Sequence, residues 1–178
     1  MPEPDTKDWT WTVHHRCQEC GVAVGDLTLR QVADLTDLAA RQWVGLLDGD
    51  DVAALRARPH PRVWSPTEYA AHVRDVGRVF LTRLDLMLAE DTPTFANWDQ
   101  DAAAVEGGYA SLDPRRVASG IATSLGAFAA RLRAVPLGEE LRRGHRSNGS
   151  EFTVLTLAQY FLHDVVHHLH DVGHPLKV

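Results

Sequence analysis

The sequence predicts an all-α protein with four long helices in a bundle over residues 28–172, preceded by an irregular arm over residues 1–26. Four long segments repeat apolar residues at three- and four-residue steps, the spacing of an amphipathic helix. Two of these segments begin with a capping residue followed by proline, and strand-like alternation is almost absent. The 178 residues, with 44% hydrophobic and 24% charged side chains, are expected to form one domain over 1–178.

The first predicted helix covers residues 28–47, where apolar side chains form one stripe. The second is predicted to begin at Pro66 and to continue to about Ala89. Ser65 is suited to cap its N-terminus, and Glu68, three residues later, completes the pattern of a capping box.

A long connection over residues 91–112 is predicted between the second and third helices, and connections of this length often cover a functional site. The third helix is predicted to begin after Asp113 and to end before Pro136. The fourth is predicted from about Thr153 to Val172, with Gly173 as the residue that follows its C-terminal cap.

The charge balance and the length of the apolar runs indicate which kinds of partner the protein can bind. The chain carries 18 Lys and Arg against 24 Asp and Glu, a net charge of −6 that is the wrong sign for nucleic-acid binding. No apolar run reaches the ~20 residues of a membrane span, and the acidic start is unlike a signal peptide. We therefore expect a cytoplasmic protein with neither nucleic-acid nor membrane partners.

Ten histidines are the unusual feature of the composition, and five of them lie between His163 and His174. His163 and His167 are four residues apart on the fourth helix, so both imidazoles can reach one cation. His72, on the inward arc of the second helix, is the candidate third ligand. The alternative for His72 is a core histidine bonded to a backbone carbonyl. His168 is predicted to point about 100° away, as an ordinary polar or packing residue.

Several motifs resemble those of a known family. Residues 64–72, WSPTEYAAH, are similar to the second-helix motif of DinB-like proteins, and residues 163–168, HDVVHH, resemble their fourth-helix motif. The resemblance covers about residues 28–172. Within actinobacterial members, the arm with its Cys17-x2-Cys20 motif and residues 97–101 are also similar, as are residues 146–149.

This resemblance implies a four-helix bundle with a three-histidine site for a divalent metal, here His72, His163 and His167, and often a homodimer. Relatives with assigned activity are thiol-dependent transferases or isomerases that use mycothiol, bacillithiol or glutathione. Three imidazoles leave a coordination position open on the metal, for which Zn²⁺ and Ni²⁺ are favoured, although imidazole also suits Fe²⁺.

The resemblance to these relatives implies a thiol S-transferase in which the metal activates a low-molecular-weight thiol such as mycothiol for a small-molecule substrate. Two other functions remain open: a non-catalytic metal-binding stress or structural protein, and a metal-dependent hydrolase that activates water.

Four further residues are candidates for roles around the metal. Glu68 and Asp75 lie near His72 on its helix as candidate general bases, although Glu68 is favoured as the capping-box partner of Ser65. Trp98 and Arg146 are candidate substrate-binding residues; the alternatives are a core side chain for Trp98 and an exposed arginine for Arg146.

Cys17 and Cys20 form a C-x2-C motif with two histidines just before it. The favoured interpretation is a pair of reduced structural cysteines. A second zinc site and a redox pair remain open, but the sequence shows neither a second ligand pair at defined spacing nor the helix start beside a strand that a dithiol motif needs.

Overall fold

The computed structural model describes residues 7–49 and 51–176, so the first six residues of the predicted arm and the last two of the chain lie outside it. This part of the chain contains six α-helices: α1 (Leu29–Leu47), α2 (Val52–Arg56), α3 (Pro66–Ala89), α4 (Gln100–Glu106), α5 (Pro114–Arg133) and α6 (Val154–Asp171). Short 3-10 turns occur at Thr10–Val13, Tyr109–Ser111 and Glu139–Leu141. The bundle consists of α1, α3, α5 and α6, and it confirms the predicted fold class.

The long helices begin where the capping residues predict. Thr28, Ser65 and Thr153 each form a reciprocal capping box with the residue three positions later, and the Asp113 side chain accepts from the Arg116 amide. These bonds satisfy amide groups that have no partner within the first turn. At the other end of α6, Gly173 adopts a φ of +78°, as expected for the residue after a C-terminal cap.

The core lies among α1, α3, α5 and α6. Helix α1 packs against α5 and α6, and α3 packs against the same two helices, so α1 and α3 are diagonally opposite in the bundle. Phe128 of α5 and Phe161 of α6 meet with ring centroids 4.0 Å apart. Trp43 of α1 is fully buried, and its indole N–H donates to the Val165 carbonyl at 3.2 Å. This hydrogen bond fixes the position of α6 along the axis of α1.

A small sheet was not predicted. Its strands are β1 (Thr94–Phe95), β2 (Arg143–Arg146) and β3 (Glu151–Thr153), with β1 parallel and β3 antiparallel to β2. Strands of two to four residues are too short to show a period of two in the sequence. The sheet brings the connection after α3 beside the hairpin that precedes α6.

The N-terminal arm packs along α6. The Gln159 side-chain amide donates to the carbonyl oxygens of Gly25 at 3.0 Å and Leu27 at 2.9 Å. Val22 and Val24 of the arm are buried in the main core. Within the described residues, no helix is both long enough and apolar enough to cross a bilayer.

Two helix glycines are expected to respond in opposite ways to alanine. A Cβ at Gly77 of α3 would lie 2.9 Å from Ser124 Oγ and 3.0 Å from Ser124 Cβ on α5, whereas at Gly126 it would meet nothing within 4 Å. Overpacking costs ~1–3 kcal/mol and alanine returns ~1 kcal/mol of helix propensity. Gly77→Ala should therefore lower the free energy of unfolding by about 1 kcal/mol, while Gly126→Ala should raise it by ~0.5–1 kcal/mol. Urea denaturation measures both, and equal gains would contradict the close approach of α3 and α5.

Candidate functional site

A polar cleft of about 690 Å³ opens beside α6. The arm, the connection before α4, the β2–β3 hairpin and α6 itself form its walls. The side chains that α6 contributes include His163, Asp164, His167 and His168.

These four residues form two interleaved pairs, each with a spacing of four. Residues four apart lie on one face of a helix, whereas adjacent residues differ by about 100°. His163 and His167 therefore face one neighbour, and Asp164 and His168 face another. Each pair meets further ligand-type side chains.

The cleft cluster consists of His72 on α3 with Asp164 and His168 on α6, and its ligand atoms lie within 4.8 Å of one another. Asp164 Oδ1 is 3.3 Å from His72 Nε2 and 3.7 Å from His168 Nε2. Donor atoms on one tetrahedral zinc ion are roughly 3.4 Å apart, given bond lengths of about 2.1 Å. The spacing therefore suits a single cation.

Surrounding side chains hold the two imidazoles in place. His168 Nδ1 and Asp171 Oδ2 are 2.7 Å apart, so Nε2 is left facing Asp164. His72 is fully buried and stacks on Trp98, with ring centroids 5.4 Å apart and an interplanar angle of 20°. Its Nδ1 has no hydrogen-bond partner among the described residues. Burying an imidazole with one unsatisfied nitrogen costs free energy, and Nε2, which faces Asp164, is the nitrogen that a cation in the cluster would bind.

The charge of Asp164 suits it to cation binding. Burial by itself would raise its pKa, but the charge and hydrogen bond of His72, together with His168 and His163, lower the pKa to about 2. Asp164 is therefore ionised at neutral pH. A partly buried carboxylate between two imidazoles is a donor set that divalent metals such as zinc accept.

The arm cluster consists of Cys17 and Cys20 on the arm with His163 and His167 on α6. Cys17 Sγ lies 3.8 Å from His167 Nδ1, and Cys20 Sγ lies 3.8 Å from His163 Nε2. The two cysteines are not bonded to each other.

Burial determines the protonation of the arm cluster. It lowers the pKa of His163 to about 4, with a further contribution from the charge of His167, and it also lowers the pKa of His167. Both imidazoles are therefore neutral at pH 7. Burial, helped by the neighbouring Cys17, raises the pKa of Cys20 to about 11.

The family follows from the sequence of the bundle. The DinB superfamily model matches residues 35–172, more than half of the chain. The chain belongs to the DinB superfamily. Its fold is also similar to that of YfiT from Bacillus subtilis, described as "a probable metal-dependent hydrolase with an unusual four-helix bundle topology". The TM-score is 0.71 at 17% identity, over 82% of this chain and 86% of YfiT. No curated protein shows significant sequence similarity to the chain.

Within this DinB bundle, the predicted three-histidine set is divided between the two clusters. His72 lies in the cleft cluster, whereas His163 and His167 lie in the arm cluster. Asp164 and His168 were not predicted as ligands, because the prediction rested on the His-x3-His spacing of His163 and His167. Asp164 and His168 form an Asp-x3-His pair with the same spacing, one residue later in the chain, and this pair is the sequence signal that could have identified them.

Glu68 and Asp75, the candidate bases, are both engaged in other contacts. The Glu68 carboxylate accepts from the Ser65 amide and from Arg58 Nε, each at 2.8 Å. Asp75 accepts from Arg74 and Arg78 and from the Tyr109 hydroxyl. The capping box favoured for Glu68 is therefore present in the structure.

Trp98 and Arg146, the candidate substrate-binding residues, both line the cleft. Arg146 donates to Asn148 Oδ1 and Ser150 Oγ within the β2–β3 hairpin, each at 2.9 Å. Its guanidinium also lies over the Tyr160 ring, 5.8 Å from the centroid. These contacts hold a positive charge at the cleft wall.

Glu68→Gln is expected to change stability and to leave metal content unaltered. Burial alone would raise the pKa of Glu68, but hydrogen bonds from Arg58 and Ser65 hold it below its ordinary 4.5. The stabilisation is therefore present above pH 4.5 and is lost as the pH falls further. At pH 7 the variant should lose about 2 kcal/mol in free energy of unfolding, because a buried, charge-assisted bond is broken.

Urea denaturation at a series of pH values measures this loss, which should shrink on acidification. Glu106→Gln, at the exposed end of α4, is the matched control and should be neutral. Loss of bound metal in Glu68→Gln would contradict its structural role.

Proposed function

We propose that this DinB superfamily member is a metal-dependent enzyme in which His72, Asp164 and His168 hold a divalent cation at the base of the cleft. The observation that carries the proposal is the convergence of these three donors from α3 and α6 beside a large polar cleft. This set differs from the three-histidine set expected from the sequence, since Asp164 and His168 take the places of His163 and His167. Zn²⁺ and Ni²⁺ are the favoured metals, since imidazole and carboxylate donors suit both.

The three donors differ in their access to the cleft. His72 is fully buried behind Asp164 and His168, which are partly exposed and line the cleft. A ligand entering the cleft therefore reaches the cluster from the side of Asp164 and His168. Three protein donors with an accessible fourth side are typical of a catalytic metal site. A bound cation there would act as a Lewis acid and lower the pKa of a thiol or water.

The cleft walls suit a hydrophilic ligand. Arg62, Arg146 and Lys7 place positive charge in the lining, and Asp99 and Asn148 add further polar groups. A volume of about 690 Å³ is large for a water molecule and sufficient for a small organic ligand. We therefore propose that the nucleophile is a polar low-molecular-weight thiol such as mycothiol, transferred to a small electrophile.

A metal-dependent hydrolase is the second candidate. The fold similarity to YfiT, itself described as a probable metal-dependent hydrolase, favours it. In this case water would take the place of the thiol, and the cleft would hold the substrate alone. The same three residues would hold the cation in both reactions, so the two candidates differ only in the nucleophile.

Removing a donor of the cleft cluster should remove one equivalent of metal. His72→Ala, Asp164→Ala and His168→Ala should each lose it, whereas His170→Ala, at an exposed position on α6, should retain it. Elemental analysis of purified protein measures the content. Retention of all metal in His168→Ala with loss in His163→Ala would instead favour the set predicted from the sequence.

Activity should require both the metal and the cleft cluster. The metal-loaded protein should accelerate attack of mycothiol on a reactive electrophile relative to free thiol at the same pH. Chelation, or His168→Ala, should abolish this gain. Ester or amide hydrolysis without thiol would establish the hydrolase instead. Turnover in neither assay over a broad panel of substrates would favour the non-catalytic metal-binding protein.

A further inference from the structure

We propose a second metal site in the arm cluster: a structural zinc ion bound by Cys17, Cys20, His163 and His167 that fastens the N-terminal arm to α6. The four donor atoms lie within 4.8 Å of one another, and no described residue of this cluster belongs to the cleft cluster. The proposal is independent of the function proposed above. Its ligand set includes sulfur, which the cleft cluster lacks.

Distances in the arm cluster match tetrahedral zinc. Bond lengths of about 2.3 Å to sulfur and 2.1 Å to nitrogen place adjacent donors roughly 3.6 Å apart. Both sulfur-to-nitrogen contacts in the structure are 3.8 Å. A small contraction would bring all four atoms onto one ion.

The backbone holds the two sulfurs on one side of a tight turn. The Cys17 amide donates to the Val22 carbonyl and the Gly21 amide to the Cys17 carbonyl, each at 2.9 Å. Gly21 has a φ of +76°, a backbone angle that residues other than glycine rarely adopt. The turn therefore presents both thiols to α6.

Two carboxylates lie close to the second nitrogen of the His167 imidazole. His167 Nε2 lies 3.7 Å from Glu19 Oε2 and 3.7 Å from Asp171 Oδ1. With Nδ1 directed to Cys17, a proton on Nε2 faces these two carboxylates. Metal-binding histidines commonly donate their second nitrogen to such a group, which fixes the tautomer.

Charge and burial both favour zinc over a disulfide. Two thiolates and two neutral imidazoles neutralise Zn²⁺, so the occupied site carries no net charge into the interior. Cys17 is fully buried, and His163 and His167 are nearly so. A disulfide would leave these two buried imidazoles facing sulfurs that cannot become thiolates.

The ion would organise the arm around it. Trp9 packs its ring over His167 and His163, with centroid distances of 4.8 and 5.6 Å. The ligands join residues separated by nearly the whole chain, so binding closes a long loop. We expect the bundle to fold without this ion and the arm to depend on it.

Cobalt substitution tests the site directly. Co²⁺ added to the reduced His168→Ala protein should produce an intense sulfur-to-metal charge-transfer band, because the cleft cluster contains no sulfur. The band should disappear in His168→Ala with Cys17→Ser and Cys20→Ser added, and it should persist with His15→Ala, an exposed histidine beside the motif.

X-ray absorption on zinc-loaded His168→Ala provides a measurement that needs no cysteine variant. Two sulfur and two nitrogen neighbours are expected. Absence of the band in protein with both thiols reduced, or zinc neighbours limited to nitrogen and oxygen, would overturn the proposal.

Limited proteolysis reports the structural role. Removal of the zinc should increase tryptic cleavage at Arg16, an exposed residue of the arm, while the helical circular dichroism is retained. The Cys17→Ser, Cys20→Ser protein should show the same cleavage with or without chelator. Unchanged cleavage of the wild-type protein after zinc removal would contradict the fastening role.

Discussion

Adjacent residues of an α-helix differ in direction by about 100°, and this geometry constrains what α6 can bind. The pair Asp164/His168 lies one residue after the pair His163/His167 in the chain. The two pairs therefore point in directions about 100° apart around α6 and face different neighbours. Each needs its own complementary surface. The bundle provides His72 on α3 for one pair, and the arm provides two cysteines for the other.

The arm therefore contributes several of its residues to the interior. A central helix that carries buried polar groups loses free energy unless each group finds a partner. Gln159 finds the carbonyls of Gly25 and Leu27, and the imidazoles of His163 and His167 find the thiols. The apolar arm residues that accompany these contacts extend the core on the side of α6.

The sequence predicted the four helices almost to the residue, because caps, prolines and apolar periodicity are local signals. Ser65 caps the helix that it was expected to precede, and Thr28 and Thr153, predicted as the first residues of their helices, are the capping residues. The division of the candidate ligand residues between two clusters was not predictable in the same way. The pair His163/His167 and the pair Asp164/His168 have the same spacing, and either could bind one cation. The rotation of α6 relative to α3 and the arm determines which side chains each pair meets, and this rotation is not visible in the sequence. The C-x2-C motif was likewise incomplete as a site, because the histidines that its cysteines contact lie 150 and 143 residues later in the chain.

The two clusters differ in charge and access in ways that suit different roles. Four donors with two thiolates leave a divalent ion neutral and enclosed, which is compatible with a structural site. Two imidazoles and one carboxylate leave a divalent ion with a net positive charge beside an open cleft, where it can attract an anionic nucleophile. Because both sets lie on the same turns of α6, an ion in the arm cluster would fix the rotation of the helix. That rotation sets the positions of Asp164 and His168 relative to His72, so an ion that fastens the arm would also preorganise the cleft.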